Sequence, residues 1–328
     1  MKVAVIGLGS MGKRRIRLIQ QIDSSIDLVG VDSNQQRCNE AKERFSIETL
    51  NNIDEINDAQ CAFVCTSPLS HSKIINACLK KGLNVFTELN LVDDMYDENI
   101  QLADEKGVVL FLSSTFLYRE EIEYMSKRVK ECGCNVHYCY HIGQYLPDWH
   151  PWENYKNFFV NDRRSNGCRE IMAIELPWLT KAFGKVTDFY KISNKMTDLD
   201  IDYDDNYMIM LEHESGARGS LLVDVVSRKA VRNLEIFGEK IYLSWNGSPT
   251  GLFEYDYDEK ISKNIALYRH IDQLEGYSAF VIENIYKKEI EAFFHQVKTG
   301  LPAIYDFNDD KEILKLIDRI EGVSQNEV

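Results

Sequence analysis

The run Gly7-Leu8-Gly9-Ser10-Met11-Gly12 follows a β-rich segment, Lys2 to Ile6, and precedes a stretch with apolar Ile16, Leu18 and Ile19. Glycines at this spacing suit a diphosphate. Gly7 allows the tight strand-to-helix turn, Gly9 lets the backbone approach the anion, and Gly12 lets the helix pack on the strand. Ser10 and Met11 open that helix, whose free N–H groups and dipole attract negative charge. Asp32 stands 20 residues beyond Gly12, at the end of a second β-rich segment, Asp27 to Val31. A carboxylate there accepts hydrogen bonds from a ribose diol and repels a 2′-phosphate, so the expected cofactor is NAD. Ser33 and Arg37 lie beside it and leave NADP as the alternative.

The elements that must position these groups alternate along the first half. Ala62 to Cys65 reads as a buried strand, Ser72 to Lys81 as a helix, and Asn84 to Thr87 as a strand. Tyr96 to Lys106 follows as a helix and Val108 to Leu112 as a strand. This period implies right-handed parallel crossovers in a doubly wound sheet. Ligands of such sheets bind beyond the carboxyl ends of the strands. Thr66, Ser67, Pro68 and His71 fall at one such end, and Glu88, Leu89 and Asn90 at another. Together with the glycine turn and Asp32 they nominate one cleft.

After Leu112 the pattern changes. A helix, Glu120 to Cys132, precedes long strands: Asn135 to Ile142, Val186 to Ile192, Tyr207 to Glu212, Gly219 to Val226, Val231 to Phe237 and Lys240 to Trp245. Alternation puts Tyr138 and Tyr140 on one strand face and Cys139 and His141 on the other. Helices at Glu283 to Thr299 and Asp309 to Ile320 close the chain. The expected division is residues 1–118 for dinucleotide binding and 119–328 for substrate and assembly.

With Gly7–Gly12, Thr66-Ser67-Pro68 with His71, the Gly82-Leu83-Asn84-Val85 approach to Glu88, Ser215-Gly216-Ala217, Leu234 to Gly238, and Asn284, Tyr286, Glu289 and Phe293 in view, the chain resembles the Gfo/Idh/MocA oxidoreductases. The resemblance implies an α/β protein: an N-terminal Rossmann domain, then an α/β domain with a large open, mostly antiparallel sheet. It also implies a final helix packed back on the first domain and a homodimer or homotetramer formed through the sheet. The implied activity is hydride transfer between a nicotinamide cofactor and a sugar-like small molecule.

Two departures bear on mechanism. The family's Glu-Lys-Pro reads Glu88-Leu89-Asn90 here, and the helical position of the family's proton-accepting histidine falls on Ile174. Leucine and isoleucine accept no proton. The replacement candidates are His150, Glu170 and Glu175. His150 lies in the aromatic run Tyr145 to Tyr155, which is similar to a loop of family members from bacterial surface-glycan pathways. Glu170 and Glu175 are five residues apart and do not share a helical face, so one could line the cleft while the other is exposed. Arg163, Arg164 and Arg169 are candidate anion contacts. Asp202, Asp204 and Asp205 form either a solvated turn or a cation site. Two further readings stay open: a nucleotide-binding protein without redox chemistry, and an epimerase or lyase that oxidises its substrate transiently.

Composition narrows the classes. A formal charge of -14 repels phosphate backbones and anionic lipid heads, so neither nucleic acid nor a membrane surface is an expected partner. The longest apolar runs are too short to span a bilayer, and the start lacks a secretory pattern, which gives a cytoplasmic expectation. The eight cysteines, Cys132 and Cys134 around Gly133 among them, show no zinc spacing and read as reduced thiols.

Overall fold

The computed structural model describes residues 1–149, 154–274 and 280–323. The chain forms two compact units: residues 1–115 with 285–314, and residues 116–284 with 315–328.

The first unit is built on β1 (Lys2–Ile6), β2 (Asp27–Val31), β3 (Glu48–Leu50), β4 (Cys61–Val64), β5 (Asn84–Thr87) and β6 (Leu110–Leu112). They form a six-stranded parallel sheet in the order β3-β2-β1-β4-β5-β6. β1 and β4 are buried along almost their whole length, because helices of a doubly wound sheet cover both faces. The crossovers are α1 (Ser10–Ile22), α2 (Gln35–Phe45), α3 (His71–Lys80) and α4 (Tyr96–Lys106). The strand order reverses between β1 and β4, which places the ligand crevice beside the glycine turn. Phe63, Phe86 and Phe111 stack across β4, β5 and β6. Phe293, on α7 (Glu283–Thr299), meets all three edge-on. Such pairs add to the burial of each ring. No described helix is long and apolar enough to cross a membrane.

The second unit holds α5 (Glu120–Glu131), β7 (Val136–Gly143), α6 (Gly167–Phe183), β8 (Val186–Asn194), β9 (Asn206–His213), β10 (Arg218–Asp224), β11 (Val231–Gly238), β12 (Ile241–Trp245), β13 (Leu252–Asp256) and β14 (Ile261–Asn264). The sheet order is β14-β13-β12-β11-β7-β10-β9-β8. β7 and β10 run parallel, while β11, β12, β13, β14, β8 and β9 join by antiparallel pairing. Strict alternation of buried and exposed residues along β9 marks a sheet covered on one face. Tyr138 and Tyr140 belong to the covered face, where Tyr138 stacks on Phe183 of α6 and Tyr140 meets Trp178 edge-on. Cys139 and His141 belong to the other face.

The last helix, α8 (Phe307–Glu321), has its first turns in the first unit and its end in the second. Tyr96 and Tyr305 both donate to the buried Asp310 carboxylate, at 2.6 and 2.8 Å.

Candidate functional site

In the first unit the glycine turn is closed where it must be and open where a ligand would enter. Gly7 has φ +91°, and a Cβ there would lie 2.7 Å from the Cys65 carbonyl oxygen. A Cβ on Gly12 would lie 1.9 Å from the Gly7 carbonyl oxygen. A Cβ on Gly9 would meet nothing within 4 Å. Gly9 is also the N-cap of α1, with no side chain capping the helix and no acidic residue in its first turn. The start of α1 therefore has a side-chain-free cap with open space beside Gly9, a cradle that fits a diphosphate. Asp32 holds this cradle from β2. Its Oδ2 accepts the Leu8 N–H at 2.8 Å and its Oδ1 the Asn34 N–H at 2.8 Å, while Arg37 stands 3.8 Å away.

One turn into α1, Arg15 is fully buried. Its guanidinium donates to both oxygens of Glu88 at 2.6 and 2.8 Å, to Glu289 of α7 at 2.7 Å and to the Tyr286 carbonyl at 3.3 Å. Ser113 donates to the remaining Glu289 oxygen at 2.9 Å. Burial pushes the Glu289 carboxyl up, and Arg15 pulls it back. Glu88, read from sequence as a cofactor contact, has both carboxylate oxygens on Arg15 of α1. Cys65 also donates to it, at 3.6 Å.

His71 is buried as well. Nε2 lies 2.9 Å from the Thr66 carbonyl oxygen and Nδ1 lies 2.7 Å from the Asn90 side-chain amide. Burial lowers its pKa, and its polar edges tie the end of β4 to the end of β5. Ser70 donates to Thr66 and to the Ser67 carbonyl, and Pro68 opens the short 3-10 turn ahead of α3. Leu89 is half-buried between Glu88 and Asn90.

In the second unit the proton-carrier candidates separate. Glu170, in the first turn of α6, is half-buried as a residue, but its Oε2 is sealed and has no hydrogen-bond partner among the described residues. Desolvation raises its pKa to about 7. A Cβ on Gly167, one turn earlier, would lie 3.0, 3.0 and 3.3 Å from Leu146, Val225 and Trp149. Spacing of three residues puts Glu170 on that same helix face, the one turned toward the aromatic loop after β7. Trp149 packs into this loop by donating to the Gln144 carbonyl at 2.9 Å. His150 lies outside the described residues.

Glu175 is different. The expectation that one of the two glutamates is exposed does not hold, because Glu175 is fully buried. Tyr140, Trp178 and Arg232 donate to its oxygens at 2.8, 2.7 and 2.7 Å. Fully buried, with both oxygens accepting hydrogen bonds, it holds α6 to the sheet. Arg169 is likewise committed, to Asp318 at 2.7 Å and to Glu321 of α8. Arg163 lines a cavity of about 350 Å³ with Asn166, Lys195, Asp202, Tyr203 and Asp204. Asp205 is not part of a solvated turn: it is buried and caps the backbone at Met196 and Thr197. No group of three or more His, Cys, Asp or Glu among the described residues is arranged to hold a metal.

Residues 1–114 match the family described as "Oxidoreductase family, NAD-binding Rossmann fold", the Gfo/Idh/MocA model. The whole chain is 25% identical to a myo-inositol 2-dehydrogenase of Thermotoga maritima, over 96% of this chain and 94% of that protein. Among solved structures, a levoglucosan dehydrogenase in complex with NADH superposes with a TM-score of 0.80 at 15% identity, covering 98% of this chain and 96% of that one. A myo-inositol dehydrogenase from Corynebacterium glutamicum gives 0.76 at 16% identity, covering 99% and 97%. At that identity the two structures establish likeness of fold alone.

Against the Gfo/Idh/MocA frame, sequence reasoning passed over Arg15, Arg119 and Arg232. Arg119 is fully buried and pairs with Glu121, with the Gly247 and Phe280 carbonyls taking its remaining donors.

Proposed function

We propose that this protein is an NAD-dependent oxidoreductase of a sugar or polyol, free or nucleotide-linked, in which Glu170 carries the substrate's hydroxyl proton. The observation that carries the reading is the Glu170 carboxyl: one oxygen sealed and unpartnered among the described residues, with a pKa of about 7. A group titrating there gives and takes a proton with least penalty near neutrality. With the family's histidine position on Ile174, the acid that the resemblance implies falls on Glu170 or is lost to Ile171, and the first alignment supports this reading.

The uncapped start of α1, Gly9 and the Asp32 carboxylate would hold the dinucleotide, with Thr66 to Pro68 and the end of β5 lining the cleft further along. When bound, the nicotinamide supplies the carbon that accepts or returns a hydride. Glu170 in its anionic form takes the hydroxyl proton during oxidation, and in its neutral form returns one during reduction. The relatives named as inositol and levoglucosan dehydrogenases support a polyhydroxylated substrate. The exposed apolar face of the second-unit sheet supports a homo-oligomer.

A second reading rests on Leu89 and Ile174, which cannot exchange protons: a cofactor-binding protein without turnover. Calorimetry with NAD and NADP, run beside an absorbance assay over a panel of polyols, sugars and sugar nucleotides, separates the two. NAD binding with turnover of at least one compound supports the oxidoreductase. NAD binding with none supports the second reading, and no binding of either nucleotide ends both. Cofactor that stays bound through purification, with substrate converted and no net absorbance change, would identify an epimerase or lyase.

A further inference from the structure

We propose that Cys132 and Cys134 form a reversible dithiol–disulfide site, oxidised by low-molecular-weight disulfides of the glutathione class. Cys132 caps the end of α5, and Cys134 follows it by two residues. The two Sγ atoms lie 3.6 Å apart, with the Cys134 thiol directed at the Cys132 sulfur. Gly133 between them has φ +62°, the left-handed conformation that folds the chain back and brings residues two apart onto one side. A bonded pair needs about 2.05 Å, so a small rotation of the side chains closes the gap. Both cysteines are half-buried, within reach of a small reagent, whereas Cys38, Cys61, Cys65, Cys78 and Cys168 are buried. Packing also favours the approach: a Cβ on Gly238 would lie 3.2 Å from the Cys134 sulfur, so the glycine at the end of β11 leaves that thiol its place.

The two thiols have different roles. Cys132 donates to the Val129 carbonyl at 3.1 Å, a contact that must break before it attacks. Cys134 is therefore the thiol that meets the reagent first, and as the thiolate it attacks the reagent disulfide. The reagent's S–S bond breaks, one thiolate leaves with the electron pair, and a mixed disulfide remains on Cys134. Cys132 then loses its proton to solvent and attacks the Cys134 sulfur. The second reagent thiolate leaves, and the Cys132–Cys134 bond closes. The dithiol gives up two electrons and two protons, and the reagent gains both. A bridge across a single residue closes a small ring and stays accessible, which makes it labile to thiols.

The test is mass spectrometry on the full chain after incubation with oxidised glutathione and acid quenching. A peptide carrying residues 132 and 134 should lose about 2 Da and regain it with dithiothreitol. C134S should abolish the change. C132S should accumulate glutathione on Cys134 to roughly tenfold above wild type, because the resolving thiol is gone. The proposal is overturned if wild-type protein stops at the mixed disulfide, if the bridge joins either cysteine to Cys139, or if only Cys139 reacts. The wild-type result decides the matter even if a serine variant folds poorly.

Discussion

The Oδ2 of Asp32 accepts the backbone N–H of Leu8 at 2.8 Å, so the carboxylate that would clasp the adenosine ribose also holds the glycine turn in place. The two roles predict different responses. D32A removes the turn contact and the ribose acceptor together and should weaken NAD at least about tenfold, since hydrogen bonds to a charged group contribute roughly 1.5–3 kcal/mol. D32N keeps one acceptor for Leu8 while removing the charge that repels a 2′-phosphate. Its discrimination against NADP should therefore fall more than its NAD affinity. Dissociation constants for both nucleotides check this, and an unaltered NAD-to-NADP ratio in D32A would remove Asp32 from cofactor selection.

Glu170 should impose a pH signature. With its carboxyl held at about 7, oxidation should rise as pH climbs through that value and reduction should fall. E170Q should lose roughly 10²–10⁴-fold in turnover and lose that limb of the profile. Stability gives an independent reading. The folded-state pKa lies above the unfolded one, so the folded state binds the extra proton between about 4.5 and 7. Stability is thus full below the lower value and declines as pH rises to the upper one, by an amount on the order of 3 kcal/mol. E170Q should be the more stable protein at pH 8, and denaturant midpoints that track wild type across this range would refute the assignment. E175Q, by contrast, should lose stability and keep the limb near 7, because Arg232 and Tyr140 already occupy that carboxylate.

The Arg15 cluster should be costly to break. R15M strands Glu88 and Glu289 in a buried site and should destabilise the first unit by about 3–5 kcal/mol. E289Q keeps a hydrogen-bonding amide between Arg15 and Ser113 and should cost less. Urea unfolding of the two variants tests the ordering, and an R15M midpoint equal to wild type would mean that the guanidinium finds other partners.

What the sequence disclosed follows from the range of the interactions involved. The bounds expected for β1, β2, β5 and α4 coincide with those observed, because each has a local apolar pattern between turn residues. α2 was invisible. Of its 11 residues only Cys38 and Ala41 are buried, and it depends on the Asn34 cap at one end and the left-handed Ser46 at the other. β14 is exposed along its whole length and carries no alternation to read. In the site, the glycines and Asp32 lie within 32 residues and act through the backbone, so their spacing reveals them. Arg15 meets Glu289 across 274 residues, and Glu175 meets Arg232 across 57. Nothing near either residue in sequence distinguishes a paired buried charge from a solvated one.

The uncovered sheet face yields the last prediction. Tyr190 pairs across strands with Met210, and Ile192 with Met208. The four are 65%, 64%, 56% and 55% exposed, two adjacent apolar cross-strand pairs at the β8–β9 edge of the sheet. The alternation of β9 sends Tyr207, Ile209 and Leu211 into the core and leaves Met208 and Met210 on the uncovered face. A cluster of large apolar side chains on one face, on an otherwise acidic protein, marks an interaction surface, and a second copy of the same face would remove it from water. The protein should therefore run as a dimer or tetramer in size-exclusion chromatography with light scattering. The M208E/M210E double variant should shift toward monomer, since like charges would meet across a two-fold axis. NAD affinity should be retained, because the glycine cradle and Asp32 belong to the other unit. Wild-type protein that stays monomeric at tens of micromolar would leave this face without the proposed role.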